Sequence, residues 1–373
     1  MSSGFDGSLK FDTKIDTSGF EKGVKETERR AYSFGGKISK IFTVSGAAAG
    51  AGLAAAVKKG ADFEAQMSTV GAISLATADD MEVLSAKAKE MGIKTVFSAT
   101  QAGEAMEYMA MAGWKTEDML GGIEGIMNLA AASGENLGDV SDIVTDALTA
   151  FGLKANESGR FADVLAAASS NANTNVGMMG ETFKYVAPVA GAMGFSIEDT
   201  AAAIGLMANS GIKATQAGTS LRQIFSRLAK PPKDAAKAMA ALNLTITKSD
   251  GSFKSLGEIT QELRQKFSKL TAEQKTQYAA ALGGQEAMSA LLAIVNAAPE
   301  DVEKLTSAIK DSNGAAKEMS EIKLDNLKGQ LTLMGSAAEG LGIAIYEGIE
   351  GPLKNAVKNS SGMISELAAS FTS

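Results

Sequence analysis

The 373 residues contain no histidine and no cysteine, which excludes Ser-His-Asp and Cys-His nucleophiles, thiolate or imidazole zinc sites, histidine-ligated haem and any disulfide framework. An apolar content of 45% is ample for a core and rules out a disordered chain, and the length would hold two or three ordinary domains. The net charge of −7 argues against duplex nucleic acid as a partner, because that binding needs a surplus of Lys and Arg on one face. Within the apolar fraction Ala, Gly and Met dominate, aromatics make up only 6%, and Trp114 is the sole tryptophan. Small residues let helix backbones approach closely while Met fills irregular gaps. Carboxylates, Lys, Ser, Thr and Tyr are what remains for chemistry, so the composition points to assembly rather than turnover, with no cofactor and no metal.

The chain opens with charge throughout MSSGFDGSLKFDTKID and no apolar leader core, as expected of a protein made and kept in a cytoplasm. Leu9, Phe11, Thr13 and Ile15 alternate with charged residues, the period of a short half-buried strand. Thr17 and Ser18 can cap an amphipathic helix through Phe20, Val24, Tyr32, Phe34, Ile38 and Ile41, which either packs within the chain or self-associates. The uncharged run Ile41 to Val57 follows. As a helix it would span about 26 Å, short of a bilayer core of about 30 Å, and Gly46, Gly50 and Gly52 weaken it. The GAG at 50–52 echoes a dinucleotide-binding turn, but no second strand and no suitably spaced acidic ribose ligand follow it.

From Ala61 the pattern is regularly helical. Ser98 or Thr100 can cap a helix through Ala105, Met106, Met109 and Ala112 that stops at Gly113, and a second runs from about Glu117 to Ala132 before Gly134. The next pair is Asp139 to Phe151 with Gly159 to Ala168, and a third is Val176 to Met193 with Ile197 to Asn209, ended by Gly211. Exits at Gly113, Gly152 and Gly194 recur at intervals of about forty residues, the size of one αα unit. The expected fold is therefore mainly α, with stacked or bundled helical hairpins, the short N-terminal strand, and one small β-hairpin at LTITKSDGSFKSL (244–256) turning at Asp250 and Gly251. Asp250, Gly251 and Glu258 lack the ligand spacing of an EF-hand. Helices resume over Leu263 to Leu270, Tyr278 to Leu282 and Met288 to Val295.

Six phrases carry a further signal: ADFEAQMSTVGAI (61–73), FSATQAGEAMEYMAMAGW (97–114), NLAAASG (128–134), DIVTDALTAFGL (142–153), GETFKYVAPVAGAMGFSIED (180–199) and LMANSGIKATQAGTSLR (206–222). In this order and spacing the sequence resembles the core region of tailed-phage tape measure proteins. The motif positions are Phe63, Glu64, Met67, Phe97, Ser98, Gly113, Trp114, Asn128, Leu129, Phe151, Gly152, Pro188, Gly194, Gly211, Ala217, Gly218, Thr219, Leu221 and Arg222. The resemblance implies a structural role for them, in a protein that organises tail-tube assembly, sets tail length and later leaves the tube so that DNA can pass. It also implies a homo-oligomer in the lumen of a virion tail, made in a bacterial host's cytoplasm, meeting the tube protein and initiator or baseplate proteins, with host membrane contact during ejection and no sequence-specific nucleic acid binding. Family members are commonly longer, with an extended helical rod after this core. Arg222 would meet an acidic partner, a structural ion pair or solvent; Trp114 would anchor an interface or close a helical hairpin.

Three segments are expected: an arm over 1–60, a core over 61–300 and a helical extension over 301–373. In the extension Ile322, Leu324, Leu327, Leu331 and Met334 form an apolar stripe that could pack onto the core or onto sister copies. Carboxylate pairs such as Glu104 with Glu107 and Asp139 with Asp142 fall near helix starts, where the dipole explains them. The Ser-x-x-Lys spacings at Ser307 and Ser320 have no companion motifs, so no enzyme activity is expected. The alternative reading is a membrane-active channel or pore component working through Ile41 to Val57 and Leu331 to Ile349, the latter interrupted by Glu339 and Glu347.

Overall fold

Residues 47–354 are described by a computed structural model, and among them the chain is a succession of helices. α1 (Ala47–Ser74), α2 (Ala78–Lys94), α3 (Ala99–Met111), α4 (Thr116–Ser133) and α5 (Leu137–Phe151) come first. A short 3-10 turn (Ala155–Glu157) then leads into α6 (Ser158–Asn171), α7 (Val176–Ala192), α8 (Ile197–Asn209) and α9 (Ala214–Ala229). Polar side chains set most of the starts by taking over N–H groups that a first turn leaves free. Thr77 with Asp80 and Ser98 with Gln101 form capping boxes at α2 and α3, and Asn136, Asn175 and Ser196 cap α5, α7 and α8.

The exits share one device. At Gly113 (φ 85°) the chain turns left-handed, the Gly113 N–H reaches the Ala110 carbonyl at 2.9 Å, and the Trp114 N–H reaches Met109 at 3.0 Å. This is the Schellman arrangement, which an L side chain would strain. The same pair of bonds recurs at Gly152–Leu153, Gly194–Phe195 and Gly211–Ile212, and at Asn243–Leu244 with Asn243 in place of glycine. The apolar residue that follows is tucked back at four of these five turns: Trp114, Phe195, Ile212 and Leu244 are buried, and Leu153 is half-buried.

Consecutive helices alternate between two layers. α3, α5, α7 and α9 pack one upon the next in the first layer, and α4, α6 and α8 do so in the second. Each helix thus leans more on the helix two places along than on its hairpin partner. Glycine permits that spacing: a Cβ on Gly125 would lie 2.5 Å from the Gly159 nitrogen, and one on Gly218 2.7 Å from the Thr182 carbonyl oxygen. Phe161 stands edge-on to Phe183 at 5.3 Å and Phe195 to Phe225 at 5.0 Å, while Met106, Met109, Met119 and Met127 are wholly buried among the small residues.

Beyond α9, four helices close that end of the stack: α10 (Lys233–Leu242), α11 (Leu256–Phe267), α12 (Ala272–Gly283) and α13 (Met288–Asn296). α12 packs on α9, α10 and α13, and both α11 and α13 touch α8. The chain then turns back. α14 (Pro299–Lys310) lies on α8 and α6, and α15 (Ala315–Leu324) on α6 and α4, so together they retrace the second layer in reverse as a strap. α16 (Leu327–Glu347) follows, with the Ser336 hydroxyl donating to the Val96 carbonyl at 3.0 Å. Residues 63–337 make one compact unit; 47–62 and 338–354 belong to a second, in which Lys59 pairs with the largely buried Glu339 at 2.8 Å and Gly60 packs against Tyr346.

This arrangement corrects two expectations, the β-hairpin at 244–256 and the start of the helix at Leu263. The 244–256 segment turns at Asp250–Gly251, where the Ser252 N–H donates to the Asp250 carboxylate at 2.9 Å. It pairs through a single antiparallel bridge, Thr247 with Phe253, and no sheet forms among the described residues. The N-terminal strand and the amphipathic arm lie outside the described residues. Gly50 and Gly52 sit inside α1, so the GAG sequence makes no nucleotide-binding turn. No helix among the described residues, α16 included, is long and apolar enough to cross a membrane. α11 begins seven residues before the expected Leu263, because Ser255 and Glu258 close a capping box there.

Candidate functional site

The motif positions fall into three structural groups. Phe63 and Met67 are buried and Glu64 is half-buried on α1; Gln66 beside them donates to Glu107 of α3 at 2.7 Å. Phe97 is half-buried just before Ser98, the cap of α3. The second group is the exits, where Trp114 lies against Gly122 of α4, so the indole closes the α3–α4 turn. Gly152, Gly194 and Gly211 are the equivalent turns, and Phe151 stands 6.1 Å from Phe183. The third group is packing: Leu129, Ala217 and Leu221 are fully buried, Asn128 is half-buried, and Gly218 meets the α7 backbone. Thr219 donates to the Thr215 carbonyl at 2.9 Å, and Pro188 is exposed within α7. Arg222 is exposed and lies over the Tyr185 ring at 5.8 Å, a cation–π contact on the outer face of α7 and α9.

A set of polar side chains absent from those motifs holds helix ends from a distance. Gly314 supplies no side chain to cap α15, and Asp163 of α6 does so instead, accepting from Gly314 N–H at 2.8 Å and Ala316 N–H at 3.0 Å. Near the other end of α15, Lys323 donates to the Ser133 carbonyl at the end of α4, 2.9 Å away. Asp199 of α8 accepts from the Gly257 N–H of α11 at 2.9 Å. Arg264 donates to Ile294 and Ala297 at 2.9 and 2.7 Å, satisfying the end of α13, and its burial lowers its pKa. Arg227 does the same for Leu282 and Ala281 of α12 while pairing with Asp234 at 2.7 Å. Such caps join residues far apart in sequence; a glycine at the position where α15 needs a cap is the one local sign of them.

The ionised pairs are structural as well. Arg160 grips Glu198 with two bonds of 2.7 and 2.8 Å and reaches Glu157 at 2.9 Å. Burial by itself would raise Glu198, but the guanidinium outweighs it and holds the carboxyl below the ordinary glutamate value. Asp142 pairs with Lys184 at 3.5 Å, and burial together with Asp142 raises the neighbouring Asp146. No cluster of carboxylates suited to a metal ion occurs among the described residues. Ser320 is buried and Lys323 is engaged with Ser133.

One surface stands apart. Ile322, Leu327, Leu331 and Met334 are 69%, 76%, 53% and 64% exposed, so the stripe in the extension is not spent on the core of its own unit. Its spacing of four and three residues along α16 is that of a coiled-coil seam.

The pattern that defines phage-related minor tail proteins matches residues 85–284, more than half of the chain. The chain belongs to that family. The match runs from α2 to the end of α12, the whole two-layer stack and most of its closing helices. Among its curated relatives, the tape measure protein of Pneumococcus phage Dp-1 is 38% identical over 365 residues, covering 94% of the chain and 32% of that relative. The probable tape measure protein of Escherichia phage P2 is 28% identical over 352 residues, covering 92% and 43%. The probable tape measure protein of Clostridium phage phiCD119 is 27% identical over 351 residues, covering 90% and 37%. The chain thus spans about a third to two fifths of the length of the curated relatives it matches. No solved structure matches it.

Proposed function

We propose that this chain is the core of a tail tape measure protein: a structural, non-catalytic component that organises polymerisation of a tail tube, takes part in setting tail length and leaves the tube before DNA passes. The observation that carries this reading is the similarity to tape measure relatives over more than nine tenths of the chain, on top of the minor tail family match. Copies would lie together in the tube lumen after synthesis in the bacterial host, meeting the tube protein and the initiator or baseplate proteins. The exposed α16 stripe offers a seam for sister copies.

The folded stack also bears on how length would be measured. A single straight helix advances about 1.5 Å per residue, and a chain folded back on itself in two layers spans far less. In this reading residues 61–300 act as an organiser, with 301–373 as its extension and 1–60 as its arm, and length is set by helical segments outside the folded stack. The test is deletion of the encoding gene in a phage or prophage that carries it, followed by electron microscopy of the particles. Loss of tails, or tubes of uncontrolled length, is expected. Tails of normal, uniform length would overturn the reading.

A further inference from the structure

The overall charge of −7 conceals a strong asymmetry along the stack. Residues 63–135, from α1 to α4, carry 11 acidic and 4 basic side chains, a net of −7. Residues 136–212 are also acidic, with 8 against 3. Residues 213–275, which supply α9, α10, α11 and the first turn of α12, reverse this with 12 basic and 5 acidic side chains, a net of +7. Because α3 to α9 are stacked in order, these blocks stand at opposite ends of one folded unit.

Each end also presents its charges outward. On α2, which packs on α3 and α4, Asp79 and Glu82 are exposed beside Val83, which is 46% exposed. On α10, which packs on α12, Lys233 and Lys237 are exposed one turn apart with Ala236 and Ala240, and Lys230 is exposed just before them. None of these five charged side chains has an ion-pair partner among the described residues.

We propose that the basic end formed by α9 to α12 is a docking surface for the acidic first turns of α2, around Asp79 and Glu82, in a second copy, so that copies associate head to tail. Like ends repel and unlike ends attract, so the charge pattern selects one polarity. The contact is heterologous, with different surfaces on the two partners, so it propagates as a file of copies unless the rotation closes a ring. Exposed alanines between the lysines allow an opposing helix to come close, which a long-side-chain surface would not. The same alanine-and-lysine face has no aromatic platform for stacking bases, and the remaining charge of the chain repels a polyanion, so an acidic protein surface fits better than nucleic acid.

Sedimentation velocity of the full chain tests it. Self-association is expected at low salt and should weaken at least tenfold at about 0.5 M salt, where screening shortens to roughly 4 Å. Association through the apolar α16 stripe would respond in the opposite direction. Lys233→Glu with Lys237→Glu, and separately Asp79→Lys with Glu82→Lys, should each lose the salt-sensitive association. An equimolar mixture of the two variants should regain it, because each supplies the end that the other needs. Should a double reversal fail to fold, Lys233→Gln and Asp79→Asn are milder versions, with a severalfold loss expected. Unchanged association in the folded variants, or no recovery on mixing, would overturn the proposal. So would a chain that stays monomeric at low salt while binding duplex DNA through Lys233 and Lys237.

Discussion

The stack of α3 to α9 is rich in alanine and glycine, the strap of α14 and α15 is rich in charged residues, and different contacts hold the two. In the stack, glycines let one backbone settle on the next, and the contacts are apolar and close: Gly125 on Gly159, Gly218 on Thr182, Phe161 on Phe183. The strap buries a few side chains, Leu305, Ile309 and Ala316, and is fixed at the ends of α15 by Asp163 and Lys323. Close packing tolerates no added atoms and ignores pH and salt; charge-assisted caps tolerate added atoms but respond to charge. The strap is therefore expected to open before the stack does.

The largest effect is expected in the stack. Gly218→Val would push a side chain against the Thr182 carbonyl oxygen and the Tyr185 Cβ, which cannot move without shifting α7. A loss of about 3 kcal/mol is expected, read as a lower thermal midpoint for the whole unit. Arg264→Ala comes next: the Ile294 and Ala297 carbonyls lose their donor, with a cost of about 2 kcal/mol visible in chemical denaturation. The Arg160–Glu198 pair gives the smallest effect, under about 1 kcal/mol since both side chains are partly exposed. Its sign is fixed. Glu198 titrates below the ordinary value, so its contribution is complete above about pH 4.3 and fades as the pH falls through the lowered folded value. Glu198→Gln should remove that part of the acid sensitivity in a pH series of thermal midpoints and leave the midpoint at neutral pH slightly lower.

Much of this was legible in the sequence where the signal is local. Gly113, Gly152, Gly194 and Gly211 marked the helix exits, and Ser98, Asp250 and Gly251 marked a cap and a turn, because each acts within a few residues. The layering was not legible. That helices pair with the second neighbour depends on which face of each helix carries its glycines, and every helix of the stack has small residues on more than one face. The same limit applied to Leu327, Leu331 and Met334: helical spacing is identical whether a stripe faces its own core or the outside. The 244–256 segment had a turn but too little pairing for a ladder. Asp163 and Gly314 lie 151 residues apart, and no local pattern announces that one caps the other. The charge balance misled by averaging, since −7 for the chain hides a basic end.

The most direct measurement is hydrogen exchange on the full chain, wild type against Asp163→Ala, resolved by peptide. Loss of the carboxylate frees the Gly314 and Ala316 N–H groups and removes a cap worth about 1–2 kcal/mol. The expected result is faster exchange from Gly314 to Leu324, with α3 to α9 as protected as before. Equal acceleration of strap and stack would contradict the claim that the strap opens before the stack does.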